Sequence, residues 1–150
     1  MEEWRFVIER NVDGMFIVAK EAARVMIPQK RGNMVLLCSI ASEIFHDGTY
    51  PGVYEVSKGA VSTLVRVLSA NWCIYNIHVN GIAPGYFHSE AVDTAYKDHP
   101  EDLKIIADLV PAKRLAYADE LGPVCVLLSS SGASYIDGTV ITVDGGRSYK

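Results

Sequence analysis

The chain has 150 residues, of which 49% are hydrophobic, and 14 Lys and Arg stand against 18 Asp and Glu for a formal net charge of −4. These figures describe one soluble, mildly acidic domain, and the absence of any basic run argues against nucleic acid as a partner, because phosphates need clustered Lys and Arg. No apolar stretch approaches the ~18 residues of a bilayer crossing, and Met1-Glu2-Glu3-Trp4 lacks the basic-then-apolar order of a secretory signal, so a cytoplasmic protein with no membrane partner is expected.

Cys38, Cys73 and Cys125 are odd in number, widely spaced and set among apolar residues, and read as buried reduced thiols. The four histidines, His46, His78, His88 and His99, show no short paired spacing, so no metal site is expected. With no internal repeat, low-complexity tract or charged linker, residues 1–150 are treated as one unit.

In chain order, Trp4, Val7, Ile8, Val12, Phe16, Val18, Ala22, Val25 and Met26 recur at helical spacing and predict a helix over about 3–28, stopped by Pro28. Arg31-Gly32-Asn33 then turns the chain into Met34-Val35-Leu36-Leu37-Cys38-Ser39, an apolar run suited to a strand covered on both faces. A loop with Gly48, Pro51 and Gly52 leads into a second helix reaching about Tyr75, with Val56, Ala60, Leu64, Val67 and Leu68 on one side. A strand over 77–83 ends at Pro84-Gly85, and a polar stretch over 86–113 with short amphipathic helices follows. A helix over about 118–129 and a last strand over 138–143, ending in the plain turn Asp144-Gly145-Gly146, complete the pattern. Strands separated by crossover-length helices imply parallel β-α-β units with helices on both faces. Only three strands can be counted, and no glycine-rich phosphate string of the G-x-G-x-x-G kind occurs, so the fold is either unusually small or incomplete.

Tyr54-Glu55-Val56-Ser57-Lys58 is the most pointed chemical feature, since residues four apart share a helix face. A free tyrosine titrates near pH 10 and needs a nearby cation to exchange protons at neutrality, which Lys58 could supply. A Tyr-Lys pair alone is weak evidence. Its context adds Ser39, at the end of the first strand and fifteen residues earlier, where a hydroxyl could hold a substrate oxygen. Ser42 competes for that role, and Ser39 is preferred. Asn11-Val12-Asp13-Gly14 places two poor helix formers inside a strongly periodic segment, a broken local rule of the kind that marks function or a mere kink. Pro84-Gly85-Tyr86-Phe87-His88-Ser89, after the second strand, could grip an amide-bearing ring or be only a turn.

Together, Asn11-Val12-Asp13-Gly14, the strand ending in Cys38-Ser39, Tyr54-x-x-x-Lys58, Val79-Asn80-Gly81-Ile82-Ala83-Pro84-Gly85, Pro111-Ala112-Lys113-Arg114-Leu115 and Gly138-x-x-x-x-Val143-Asp144-Gly145-Gly146 resemble the short-chain dehydrogenase/reductase family over practically the whole chain. The resemblance implies an α/β fold, the carboxy-terminal portion of a doubly wound, parallel, Rossmann-like sheet. Its amino-terminal strands, roughly 90 to 100 residues or about three β-α units, would precede Met1 and lie at the sheet's centre. It implies an enzyme using NAD or NADP to interconvert a secondary alcohol and a ketone. Asn11, Ser39, Tyr54 and Lys58 would form the catalytic tetrad: Tyr54 as acid/base, Ser39 polarising the carbonyl, Lys58 also binding the nicotinamide ribose, and Asn11 holding a relay water. Pro84, Gly85, Phe87 and Ser89 would contact the carboxamide.

The family's phosphate loop and the residue that selects NAD or NADP are absent from this chain, so the isolated chain is expected to bind dinucleotide poorly and to expose an edge strand and an apolar surface. Leu37-Cys38-Ser39-Ile40-Ala41-Ser42-Glu43, Tyr75-Asn76-Ile77-His78-Val79-Asn80-Gly81 and Leu121-Gly122-Pro123-Val124 look most like the branch acting on sugar acids, such as gluconate 5-dehydrogenase and 2-deoxy-gluconate 3-dehydrogenase. A carboxylate substrate would want a cation from His88, Lys97, Lys113 or Arg114. Oxoacyl-carrier-protein reductases share most of these strings. The helices over 3–28 and 52–75 would form a subunit interface, giving a homo-oligomer, dimer or tetramer; from another class, the chain could be a non-catalytic remnant that pairs with an intact relative.

Overall fold

The computed structural model describes residues 1–44, 52–97 and 99–149. One helical rod opens the chain, made of α1 (Glu2–Ile8), a π-helical turn (Glu9–Asp13) and α2 (Gly14–Gln29). The π turn falls on Asn11, where the sequence broke its own helical rule. Pro28 lies inside the last turn, and the rod stops instead at Lys30, left-handed with φ 49°.

β1 (Gly32–Leu37) follows, two residues shorter at its far end than expected, although the Cys38 amide still bonds to the Ile82 carbonyl at 2.8 Å. Pairing ends there because Ser39 turns to cap a 3-10 turn over Ile40–Ser42, its Oγ accepting from the Ala41 amide at 3.1 Å. Gly48 and Pro51 of the expected loop, and His46, lie outside the described residues. α3 (Val53–Trp72) runs on into a 3-10 turn and then β2 (Ile77–Pro84). The polar stretch holds α4 (Glu90–Ala95) and α5 (Pro100–Leu109), and α6 (Gly122–Ser129) leads to β3 (Val140–Val143).

The sheet has the order β1-β2-β3, all parallel, with Gly32 to Leu37 opposite Ile77 to Ile82 and Gly81 to Pro84 opposite Val140 to Val143. One face is covered by α2 and α3, where Ala19 and Ala23 meet Met34, Leu36, Val61, Val65 and Val79. The other is covered by α6, where Leu128 meets Ile82 and Val35. Gly81 lets α3 and β1 approach β2 closely: a Cβ there would stand 2.9 Å from Cys38 Sγ and 3.2 Å from Val65.

Two expectations about faces are corrected. α3 buries Val53, Ser57, Lys58, Val61, Ser62, Val65, Leu68 and Ser69, whereas Val56 and Val67 of the expected stripe are exposed. The helix carries two apolar stripes, and the one containing serines and a lysine packs on the sheet because those polar groups find partners beneath it. The rod likewise buries its small residues, Ala19 and Ala23, and leaves Trp4, Phe16, Val18 and Val25 exposed. Of the three thiols only Cys38 is buried; Cys73, in the turn after α3, and Cys125, on α6, are exposed, and all are free.

No helix is long and apolar enough to cross a membrane among the described residues. Among the described residues β1 pairs with β2 along one edge only, and Leu37, Val126 and Leu127 are exposed nearby in sequence or on α6. An apolar groove between α2 and β1, lined by Met15, Val18, Ala22 and Met34 among others, runs beside that edge. The expected open edge and apolar surface are thus both present.

Candidate active site

Parallel strands bring the ends of β1 and β2 to one side of the sheet, and both expected site segments follow those ends. Lys58 lies one turn beyond Tyr54 on α3, with its Nζ 5.7 Å from the centre of the Tyr54 ring. The lysine is only 9% exposed, and Nζ donates to the Leu37 carbonyl at 3.0 Å, the last residue of β1. Burial pushes its pKa below the ordinary lysine value, partly opposed by neighbouring Cys38. Burial also pushes the Cys38 thiol up, against the Ser62 hydrogen bond and the Lys58 charge. Tyr54 itself is 44% exposed.

Asn11 joins this group through a residue that sequence reasoning left without a role. Its Nδ2 donates to Ser57 Oγ at 2.9 Å, and Ser57 Oγ donates to the Tyr54 carbonyl at 2.7 Å. The π turn therefore has a positioning consequence: it presents Asn11 to the turn of α3 that carries Tyr54 and Lys58. The available signal was a serine inside a helix, next to the lysine, able to bond back along the chain. Ser39 sits two residues beyond Leu37; its Oγ accepts from Ala41, and among the described residues its own O–H has no acceptor. Ser42 is otherwise engaged: its Oγ donates to the Ser39 carbonyl at 2.7 Å and receives Ser62 at 3.3 Å. Ser42 thus supports the turn that holds Ser39.

The second segment forms the wall of a cavity of about 500 Å³ lined by Pro84, Gly85, Phe87, His88 and Ser89, together with Leu37 and residues of α4, α5 and 115–121. A Cβ on Gly85 would meet Asp144 Cα and Cβ at 2.7 Å, so glycine is required for the strand end to pass the turn after β3. That turn is structural, as the sequence indicated: Asp144 Oδ1 accepts from the Gly146 amide at 2.9 Å and Oδ2 from the Ser148 amide at 2.7 Å. Phe87 pairs with Ala116 as a parallel bridge, the His88 amide bonding to the Ala116 carbonyl at 2.8 Å. Ser89 Oγ caps α4 by accepting from the Val92 amide at 3.2 Å, and among the described residues its O–H has no acceptor. Leu37 is shared: its carbonyl holds Lys58 and its residue lines the cavity, whereas Asn11, Ser39, Tyr54 and Lys58 lie outside the cavity lining.

The four candidate cations separate cleanly. Arg114 is paired face to face with Glu120 at 2.7 and 2.8 Å, a hydrogen-bonded contact that raises the arginine further and holds the Glu120 carboxyl down at about 2, helped by the Tyr117 amide. Lys113 Nζ donates to the Asp108 carbonyl at 2.7 Å, and Lys97 is exposed and outside the cavity lining. Only His88 lines the cavity.

Comparison with known proteins follows the same outline. A family profile described as Enoyl-(Acyl carrier protein) reductase matches residues 1–148. The chain is 36% identical to gluconate 5-dehydrogenase of Gluconobacter oxydans over 145 residues, covering 97% of this chain and 56% of that protein. It is 35% identical to galactitol 2-dehydrogenase (L-tagatose-forming) of Cereibacter sphaeroides, covering 95% of this chain and 56% of that protein. Among solved structures, a gluconate 5-dehydrogenase from Burkholderia cenocepacia in complex with NADP and tartrate superposes with a TM-score of 0.91 at 34% identity, covering 99% of this chain and 57% of the other. The chain spans little more than half the length of these relatives, and with its parallel α/β sheet it belongs to the short-chain dehydrogenase/reductase family of oxidoreductases.

Proposed function

We propose that this chain supplies the proton-transfer and nicotinamide-facing half of an NAD- or NADP-dependent oxidoreductase that interconverts a secondary alcohol and a ketone on a sugar acid. The observation that carries this reading is Lys58: a buried ammonium has three donors, and among the described residues one is spent on Leu37, leaving two for the hydroxyls of a ribose beside Tyr54. The nicotinamide dinucleotide, when bound, supplies or accepts the hydride at the substrate carbon. Its ring end suits the apolar wall of Pro84, Gly85 and Phe87, with the Ser89 O–H donating to the carboxamide. The sugar-acid class rests on the relatives named for gluconate.

Tyr54 gives its hydroxyl proton to the carbonyl oxygen during reduction and takes it back during oxidation. Ser39 donates its free O–H to the same oxygen and fixes it in place. Lys58 holds positive charge one turn from the phenol, favouring the phenolate as it forms. Asn11 holds the relay water next to that turn while its Nδ2 stays on Ser57. The exposed apolar side chains Phe6, Phe16, Val56 and Val67 of the rod and α3 support pairing into a homo-oligomer, and free thiols support a cytoplasmic setting.

Because the relatives are longer, the test uses the chain fused behind the amino-terminal part of the Gluconobacter oxydans enzyme. Gluconate should reduce NAD or NADP in that fusion, read by absorbance of the reduced nicotinamide. A folded, dinucleotide-binding fusion that turns over only neutral polyols would contradict the sugar-acid reading, and one that turns over nothing would favour the non-catalytic pairing role.

A further inference from the structure

We propose that Ser62 is a positioning residue for the proton-transfer site: through Ser42 it holds the backbone turn that presents Ser39. The proposal rests on the oxidoreductase reading above and adds to it a residue that acts only through its neighbours. Tyr54, Lys58 and Ser62 recur every fourth residue, so α3 carries them along one stripe. Lys58 and Ser62 are both buried, and each reaches the segment at the end of β1. Lys58 Nζ donates directly to the Leu37 carbonyl at 3.0 Å. Ser62 Oγ donates to Ser42 Oγ at 3.3 Å, which donates to the Ser39 carbonyl at 2.7 Å.

The direction of this chain follows from the protons, since a hydroxyl has one to give. The Ser42 proton goes to the Ser39 carbonyl, so the Ser42 oxygen receives the proton of Ser62; the Ser62 oxygen is in turn the partner of the Cys38 thiol. The Ser39 carbonyl takes a second bond from the Ser42 amide at 3.1 Å, and Ser39 Oγ takes the Ala41 amide at 3.1 Å. Main chain and side chain of Ser39 are thus both tied into the turn over Ile40–Ser42, and the Ser62 bond anchors that turn to the helix carrying Tyr54. At 3.3 Å the bond is longer than the hydroxyl optimum, so its consequence is placement more than strength.

Placement matters because Ser39 and Tyr54 serve the same substrate oxygen, and a displacement of about 1 Å between reacting groups can cost roughly 100-fold in rate. A serine inside a helix commonly bonds back along its own helix, as Ser57 does to the Tyr54 carbonyl. Ser62 instead gives its proton across 20 positions of sequence. Ser69, another buried serine of α3, gives its proton to Asp137 at 2.6 Å, toward the other end of the helix. The two serines therefore differ in what they hold, and not in burial or in helix.

The test compares Ser62→Ala with Ser69→Ala, each of which removes one buried hydroxyl from α3. In the fused enzyme, Ser62→Ala should lower kcat with gluconate at least about tenfold and leave dinucleotide affinity within about twofold, while Ser69→Ala keeps the parental kcat. Ser42→Ala should lose as much as Ser62→Ala, and the double variant no more than Ser42→Ala alone, because the two hydroxyls act in one chain. In the chain itself, hydrogen exchange at the Ala41 and Ser42 amides should quicken in Ser62→Ala and not in Ser69→Ala. A parental kcat in Ser62→Ala, unchanged exchange at those two amides, equal losses of kcat in Ser62→Ala and Ser69→Ala, or additive losses in the double variant would each overturn the assignment. A parent fusion without turnover would overturn the oxidoreductase reading instead, and quickened exchange at Ala41 and Ser42 would still support the hold of Ser62 on the turn.

Discussion

The two halves of the site are held by different kinds of contact. Around Tyr54, beside local turns, two bonds span long stretches of sequence: Asn11 to Ser57 across 46 positions and Lys58 to Leu37 across 21. Around the cavity the side-chain bonds are local: His88 to Asp93 at five positions, Ser89 to Val92 at three and Arg114 to Glu120 at six. Long-range bonds tie the proton-transfer group to the sheet and the helical rod, so it moves only if the core moves. Local bonds leave the cavity wall on short helices and turns that can be rebuilt without touching the core. In the proposed enzyme this comparison assigns the reaction type to the rigid side and the substrate preference to the adaptable side.

The sharpest way to break this contrast is Lys58→Ala. In the fused enzyme it should lower turnover at least ~100-fold and weaken dinucleotide binding as well, checked by steady-state rates and fluorescence titration. Unchanged cofactor affinity would remove the ribose contact from the account. Next comes Gly85→Ala, whose new methyl meets the Asp144 backbone; it should destabilise the chain by about 1–3 kcal/mol in urea titration, and a neutral result would mean the strand end and the turn after β3 are not locked together. Asn11→Ala leaves Ser57 without its donor and should cost about 1 kcal/mol, with a larger loss in turnover than in stability if the residue also holds water.

The smallest effect should come from the local side. Glu120 is held at about 2 by Arg114 and the Tyr117 amide, against an ordinary 4.5, so the folded carboxyl is the stronger acid. Its contribution to stability is therefore complete above about pH 4.5 and is lost as pH falls toward 2. Comparing melting temperatures of the chain and its Glu120→Gln variant should show a gap at pH 6 that closes by pH 2. A gap that stays constant over that range would mean the pair does not bear on folding.

The fold and much of the site were legible in the sequence, for reasons that differ by residue. Parallel strands separated by helices followed from apolar runs and periodicity, and the Asn11 and Gly14 irregularity marked the π turn because poor helix formers inside a helix demand a cause. The buried stripe of α3 was misread because its best-buried face includes Ser57, Lys58, Ser62 and Ser69, polar residues whose partners lie far away in sequence. Asp137 was missed for the same reason. Burial raises its carboxyl, but Ser69 at 2.6 Å, the Val79 amide at 3.0 Å and His78 at 3.0 Å outweigh that and hold it below the ordinary value, joining α3, β2 and the approach to β3. The choice among four candidate cations was likewise invisible until Glu120 and Asp108 were seen to occupy two of them.

The central claim is that Tyr54 carries the proton, and the most direct measurement is the turnover of Tyr54→Phe in the fused enzyme with gluconate and saturating dinucleotide. The account predicts a loss of roughly 100- to 10,000-fold in kcat with dinucleotide affinity within a few fold of the parent, because only the transferable proton is removed. A variant that turns over at the parental rate would contradict it.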